Sequence, residues 1–361
     1  MKKIKTRVGL LGATGMVGQN YLRLLENHPW FEVTYLAASP QSAGKIYREA
    51  VYGRWLMEAD IPERAASLKI NSVFEVEQAV EQCDFVFSAF NLEKQAVRDL
   101  ENQYAAYLPV VSNNSAHRFT EDIPLIIPEV NPQHIEIISA QQQKRGWEKG
   151  FIITKPNCSL QSYLPPVSAL IAAGYPVEGM VITTLQAVSG AGYPGPSALD
   201  MIDNIIPYIQ GEEEKSEREP LKIMGSIQNG KFIDLDTMTL SVHCTRVPVS
   251  HGHMATVSLR FKDIKPTLAE IQDIWQSFEG VPQKLNLPSA PYPAIEFRNE
   301  IDRPQPKKDR DAGKGMAISV GRLRTCPLLD IRFVALSHNT IRGAAGGAIL
   351  SAELLKVKGY I

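Results

Sequence analysis

The chain has 361 residues and a mass of 40.0 kDa, with 44% apolar and 21% charged residues. At roughly 150 residues per domain this length predicts two globular domains, and the composition excludes a disordered chain, a fibrous repeat or a coiled coil. The 38 basic and 39 acidic side chains leave a formal net charge of -1, so no global field recruits nucleic acid or an anionic membrane.

The first segment, Met1 to Gly18, has a basic start followed by apolar residues. Gly9, Gly12, Thr14 and Gly15 break it, so it is not read as a signal peptide. No apolar run approaches the ~18 residues of a membrane helix, and a cytoplasmic protein is expected. Val8 to Leu11 read as a strand ending in a glycine turn. A helical pattern with Val17, Tyr21, Leu24 and Leu25 on one face then runs towards Pro29. Phe31 to Ala38, Asp84 to Ala89, Pro109 to Ser112, Leu125 to Ile127 and Phe151 to Thr154 read as further strands. Val76 to Gln82 and Leu92 to Gln103 read as helices between some of them. This alternation predicts an α/β domain with a doubly wound, Rossmann-type parallel sheet.

The second half carries longer strand patterns: Met180 to Val188, Leu240 to Val249, Ala255 to Phe261, Met316 to Leu323 and Leu328 to Leu336. Few helices separate them, so a mixed, largely antiparallel sheet in an α+β domain is expected. Arg298 to Gly315 is charged and proline-rich and reads as a long loop, ordered or partly mobile. A last helix is expected over Asn339 to Lys356, where Gly343, Gly346 and Gly347 imply close packing on another backbone. The expected division is 1–156, 157–338 and 339–361, the last returning to the first domain.

Three motifs carry chemistry. The first is Gly12-Ala13-Thr14-Gly15-Met16-Val17-Gly18, placed between a strand and a helix. Glycines there let the backbone approach a pyrophosphate, and the helix N-terminus supplies free amides. At the end of the second strand an NAD site usually carries a carboxylate. Here Ser39 and Ser42 stand instead, with Lys45 nearby, which favours NADP.

The second is Lys155-Pro156-Asn157-Cys158-Ser159, between a strand and a helical region. A helix N-terminus favours thiolate, so Cys158 is a candidate nucleophile, although Pro165 and Pro166 predict a short or segmented helix. Cys83, Cys244 and Cys326 lie in strand-like or apolar contexts and read as structural. The four cysteines are scattered, with no metal-ligand spacing and no disulfide framework. The third motif is Arg246-Val247-Pro248-Val249-Ser250-His251-Gly252-His253. Its histidines are candidate partners for a thiolate, and Arg246 suits a substrate carboxylate. No metal is expected.

The order of these motifs, with LQAVSGAG from Leu185 and RPQPKKDRDAGKGM from Arg303, resembles the aspartate-semialdehyde dehydrogenase family, in particular its archaeal and fungal branch. The resemblance spans nearly the whole chain. It implies an NADP-dependent oxidoreductase that reduces aspartyl phosphate to aspartate semialdehyde through a cysteine thioester. That reaction leads to lysine or diaminopimelate, threonine and methionine. It implies Cys158 as nucleophile, His253 as general base, Gln186 as the residue orienting the thioester, and Asn157 beside the nucleophile. It implies Arg246 for the substrate carboxylate, Arg118 for phosphate, and Glu219 with Lys222 for the substrate amino group and phosphate. Cofactor contacts are expected from Gly12, Thr14, Gly15, Met16, Val17, Ser39, Ser42, Ser88, Ser189, Gly190 and Asn339. A homodimer or homotetramer, acting on small molecules alone, is implied as well. Read from its residues alone, Gly211 to Lys222 is a solvated charged helix. A malonyl-CoA reductase, an N-acetyl-glutamyl-phosphate reductase and a non-enzymatic dinucleotide sensor are the alternative readings.

Overall fold

A computed structural model describes residues 4–361. In the first part, strands and helices alternate: β1 (Thr6–Leu11), α1 (Met16–Leu25), β2 (Phe31–Ala38), β3 (Ile70–Ser72), α2 (Val76–Gln82), β4 (Phe85–Ser88), α3 (Lys94–Ala105), β5 (Pro109–Ser112), α4 (Ile138–Arg145) and β6 (Phe151–Thr154). The six strands form one parallel sheet in the order β3-β2-β1-β4-β5-β6. Helices cover both faces, which is why strands such as β4 are buried throughout, with Phe85, Val86 and Phe87 followed by a buried Ser88. The strand order reverses between β1 and β4. At such a switch point a crevice opens at the carboxyl ends of the strands. Gly12 makes the turn there at φ +91°, and a Cβ on it would lie 2.6 Å from the Ala89 backbone, so glycine is required on both counts.

The rest of the chain contributes α5 (Leu160–Ala172), β7 (Val177–Ala187), α6 (Glu212–Ile223), the hairpin β8 (Ser226–Gln228) and β9 (Lys231–Ile233), β10 (Thr239–Val247), β11 (His253–Phe261), α7 (Leu268–Gln276), β12 (Ile295–Arg298), β13 (Ile318–Thr325), β14 (Ile331–Ser337) and α8 (Gly346–Val357). A second sheet runs β10-β7-β11-β14-β13-β12. Its three inner pairings are antiparallel and its two outer ones parallel. Helices α5 and α7 pack on one face, where Trp275 is fully buried and its indole N–H donates to Pro166 O at 2.9 Å. The other face alternates towards solvent, with Val181 49% exposed.

Four local expectations change. Pro165 and Pro166 do not segment α5, which runs unbroken through both. Each proline removes one ladder hydrogen bond, but Leu160 to Leu170 are buried without a gap, so packing on both sides holds the helix. Leu125 to Ile127 is not a strand of the sheet; it runs beside β6 through a single bridge between Leu125 and Thr154. The segment from Arg298 to Gly315 is ordered around one buried carboxylate. Asp309 accepts from Arg303 Nε and from Gln305 N, both at 2.7 Å, and Arg298 Nε lies 3.1 Å away, so two helical turns form. Cys326 sits in the turn between β13 and β14 rather than in a strand.

The chain's last helix packs on the first sheet, not the second. Ala348, Ile349, Ala352, Leu354 and Leu355 join Val8, Tyr21, Phe31 and Phe85 in one core. Each large side chain so buried contributes about 1.5–3 kcal/mol. A π-helical turn, Ile341–Ala345, leads into α8 and touches α1.

Candidate active site

A cleft of about 630 Å³ opens at the carboxyl ends of β1, β4, β5 and β6. The glycine turn Thr14 to Val17 forms one wall. Ser189 and Gly190, just after β7, form another, and Asn339 to Ala344 close the third side. Cys158 lies in the floor, in the turn between β6 and α5. Thr14, Gly15, Met16, Val17, Arg118, Asn157, Cys158, Ser189, Gly190 and Asn339 thus come together as expected from the sequence.

Asn157 and Glu219 set the nucleophile's turn. The Asn157 side-chain oxygen accepts from Ser159 N at 2.8 Å and from Ser159 Oγ at 2.9 Å, and its amide Nδ2 donates to Glu212 Oε2 at 2.6 Å. The Asn157 backbone N–H donates to Glu219 Oε2 at 2.7 Å. The other oxygen of Glu219 accepts from Arg118 Nη1 at 2.8 Å. Opposite, Gly343 fits against Cys158: a Cβ there would lie 2.8 Å from Cys158 Cβ. Gly343→Ala is therefore expected to displace the nucleophile and lower kcat by about 10–100-fold, at a stability cost of about 1–3 kcal/mol. Steady-state kinetics and thermal unfolding check this; a wild-type kcat would show that the turn relaxes freely.

The thiol differs from expectation. Burial, then the Glu212 carboxylate, raise the Cys158 pKa, while Lys155, Arg118 and Arg246 pull it down. Cys158 precedes the helix, whose first residue is Leu160, and desolvation outweighs the dipole at that distance.

His253 is fully buried at the start of β11. Its Nδ1 accepts the Ala187 amide N–H at 3.0 Å, which places the hydrogen of the neutral ring on Nε2. Burial and the Arg246 guanidinium hold its pKa down to about 3. Nε2 has no partner among the described residues. A Cβ on Gly190 would lie 2.9 Å from that Nε2 and 2.7 Å from Arg246 Nη1, so both groups converge behind the Gly190 wall. In this tautomer His253 offers a proton at Nε2 instead of taking one. Arg246 and Gln186 are in register on the paired strands β10 and β7. Arg246 Nη1 donates to Ala187 O at 2.8 Å.

The expected pair Glu219 and Lys222 does not face the cleft. Both oxygens of Glu219 are engaged as above, and Lys222 Nζ donates to three carbonyls, Arg118 O at 2.7 Å, Thr120 O at 2.8 Å and Ile123 O at 2.7 Å. An ammonium has three donors, so none remains for a ligand. The charged run is a helix, but not a solvated one, since Ser216, Glu219 and Lys222 are buried. Two turns earlier, Glu212 and Lys215 line the cleft and pair at 2.8 Å. They repeat the spacing of Glu219 and Lys222, and that repeat was the readable signal for them.

Ser88 is not at the cleft either. Its hydroxyl donates to buried Glu101 Oε1 at 2.6 Å, as do Ser112 at 2.6 Å and Asn114 Nδ2 at 2.9 Å. Ser39 and Ser42 lie in the turn after β2, with Ser39 exposed and Ser42 buried, outside the cleft proper; Gly12 underlies it. Lys155 and Arg54 line the cleft and were not expected. Among the described residues, no group of three or more His, Cys, Asp or Glu side chains is placed to hold a metal, and no helix is long and apolar enough to cross a membrane.

Two family models match the chain: the semialdehyde dehydrogenase NAD binding domain over residues 7–138 and the semialdehyde dehydrogenase dimerisation domain over residues 167–342. The aspartate-semialdehyde dehydrogenase of Aspergillus fumigatus is 44% identical, covering 99% of each chain. That of Archaeoglobus fulgidus is 43% identical over 96% of this chain and 97% of its own. Among solved structures, the Candida albicans aspartate-semialdehyde dehydrogenase with NADP superposes with a TM-score of 0.90, at 39% identity over 99% of this chain and 100% of that one.

Proposed function

The chain belongs to the semialdehyde dehydrogenase family, among its aspartate-semialdehyde dehydrogenases, and from that membership we propose that it interconverts aspartyl phosphate and aspartate semialdehyde with NADP through a thioester on Cys158. The observation that carries this reading is the convergence of Cys158, the cations Arg118 and Lys215, and the glycine turn on one cleft.

The glycine turn fits a dinucleotide. Gly15 caps α1 with no side-chain hydrogen bond, so the first amides of that helix are left for a pyrophosphate. The turn after β2 carries no carboxylate to repel a 2′-phosphate. When bound, NADP exchanges a hydride with the reacting carbon. The protein's own groups do the rest. Sulfur of Cys158 attacks the acyl carbon of aspartyl phosphate, the carbon–oxygen bond to phosphate breaks, and the thiol proton ends on the departing phosphate. Arg118 and Lys215 hold the leaving dianion, and Glu212 pairs with the substrate ammonium. Arg246 fixes the α-carboxylate, which keeps the reacting carbon at sulfur. Gln186 and Asn157 line up the acyl group and the turn beneath it. His253 donates its Nε2–H to the oxygen on the reacting carbon. A covalent thioester divides one difficult step into two easier ones.

We place the domain boundary near Pro156 and read 339–361 as part of the nucleotide domain. The open face of the second sheet is the surface on which two copies would form a homodimer.

Purified protein is expected to reduce NADP+ with aspartate semialdehyde only when phosphate is present. CoA-linked and N-acetylated acyl substrates should turn over far more slowly. No phosphate-dependent reduction with aspartate semialdehyde would sink the reading, and preference for CoA would move the chain to the acyl-CoA reductases.

A further inference from the structure

We propose that Arg54 is a cofactor-binding residue, whose guanidinium holds the pyrophosphate of the dinucleotide together with the N-terminus of α1. The inference rests on the nucleotide reading above and deepens it.

Arg54 lies in the connection between β2 and β3, just after the short helical turn Tyr47–Ala50. Two buried side chains fasten this connection to the glycine turn. Tyr47 is fully buried and donates its hydroxyl to Ala13 O at 3.0 Å. Gln19, buried in α1, donates from Nε2 to Thr14 O at 3.1 Å and to Arg54 O at 2.8 Å. Its Oε1 accepts from Leu56 N at 2.8 Å. Two oxygens served by one nitrogen lie within about 6 Å of each other. The Arg54 backbone therefore stands beside Thr14, which precedes the Gly15 cap of α1. Arg54 lines the cleft with Thr14, Gly15, Met16 and Val17.

The charges at this end of the cleft are open. The other cations lining it are engaged: Arg118 pairs with Glu219, Lys215 pairs with Glu212, and Lys155 donates to Pro156 O. Arg54 Nη2 donates to Ala50 O at 2.6 Å, which steadies the side chain. Among the described residues the guanidinium has no carboxylate partner. The first turn of α1 carries no acidic residue, and Gly15 caps it without a side-chain hydrogen bond. A guanidinium has five N–H donors, and a helix N-terminus carries partial positive charge. The two repel each other until an anion lies between them. A pyrophosphate satisfies both, with the free amides on one side and charge-assisted guanidinium bonds on the other. The 2′-phosphate is served elsewhere, because the turn after β2 lies outside the cleft proper, with Ser39 exposed. Arg54 should thus serve NADPH and NADH alike.

The test is binding to the full-length protein, which needs no turnover. NADPH and NADH are titrated separately into wild type, Arg54→Met and Arg54→Lys and followed by calorimetry. In Arg54→Met both dissociation constants should rise about ten- to thirtyfold, by the same factor. Arg54→Lys should recover part of the loss, since it keeps the charge but not the fork. The gap between wild type and Arg54→Met should narrow in high salt. Thermal unfolding of the free proteins separates binding from support of the fold. With a cation removed from a helix N-terminus, Arg54→Met should unfold no lower than wild type. Unchanged constants for both nucleotides would overturn the proposal. A loss confined to NADPH would put the guanidinium on the 2′-phosphate and overturn the pyrophosphate assignment. An Arg54→Met protein that unfolds well below wild type would make Arg54 a brace instead of a ligand. Failure of the aspartyl phosphate reading appears as missing turnover and leaves these constants untouched, so the two failures are distinguishable.

Discussion

Replacing Cys158 by alanine is expected to lower turnover by at least about 10⁴-fold while leaving NADPH binding intact. The size follows from the chemistry, because without sulfur no thioester forms. The remaining groups, Arg118, Lys215, Arg246 and His253, can still hold a substrate but have nothing covalent to stabilise. Cofactor binding should survive because the glycine turn and the N-terminus of α1 do not depend on the thiol. Alanine removes a half-buried sulfur and keeps the Cβ that sits against Gly343, so the fold should not suffer. Serine makes a harsher comparison than it looks, since burial disfavours an oxyanion even more than a thiolate there. Rapid-quench assays with aspartyl phosphate and NADPH fluorescence titrations measure the two halves. Turnover within tenfold of wild type would remove Cys158 from the chemistry.

Much of the fold was legible because its strands are covered on both faces. Phe31 to Ala38, Pro109 to Ser112 and Phe151 to Thr154 match the observed β2, β5 and β6 residue for residue. Their apolar runs are short, bounded by turn residues, and leave no competing helical phase. The missed strands are β3 and β12, which lie at the ends of the two six-stranded sheets, and the hairpin pair β8 and β9. Each has only one neighbour and few apolar residues, so three or four residues carry no period that can be told from loop. The prolines of α5 misled in the opposite direction. Local chemistry argued for a break, and tertiary packing won.

The site divides along a similar line. The Cys158 turn and the glycine turn were readable because backbone chemistry makes them local. The acidic and basic partners on α6 were not. Glu212 with Lys215 and Glu219 with Lys222 share one spacing on one helix, and seven residues is two turns, which returns nearly to the same face. The residues alone read this run as solvated, and only the family resemblance implied that a pair at that spacing faces inward. Only the placement of the helix end at the cleft says which pair meets ligand and which supports the loop. The His253 tautomer depends on an amide 66 residues away, and no local pattern reports it.

That distinction makes Glu219 a support whose loss should be larger than that of many contact residues. Glu219→Ala is expected to destabilise the protein by about 3–5 kcal/mol, because it strands the Arg118 guanidinium in a buried position and leaves the Asn157 N–H without an acceptor. Only part of that follows from the lost ion pair; the rest is the uncompensated charge left behind. Arg118 already has a buried Nε with no partner, so it cannot absorb the change by forming a bond elsewhere in place. A double replacement, Glu219→Leu with Arg118→Met, removes both charges together. It should recover much of the stability while activity stays low, since Arg118 is then missing from the phosphate side. Glu219→Gln divides the effects further. It keeps one acceptor but loses the charge, so its cost should fall between wild type and alanine. Chemical denaturation of the four proteins gives the comparison. If Glu219→Ala lost less than about 1 kcal/mol, the buried pair would not be what holds the nucleophile's turn.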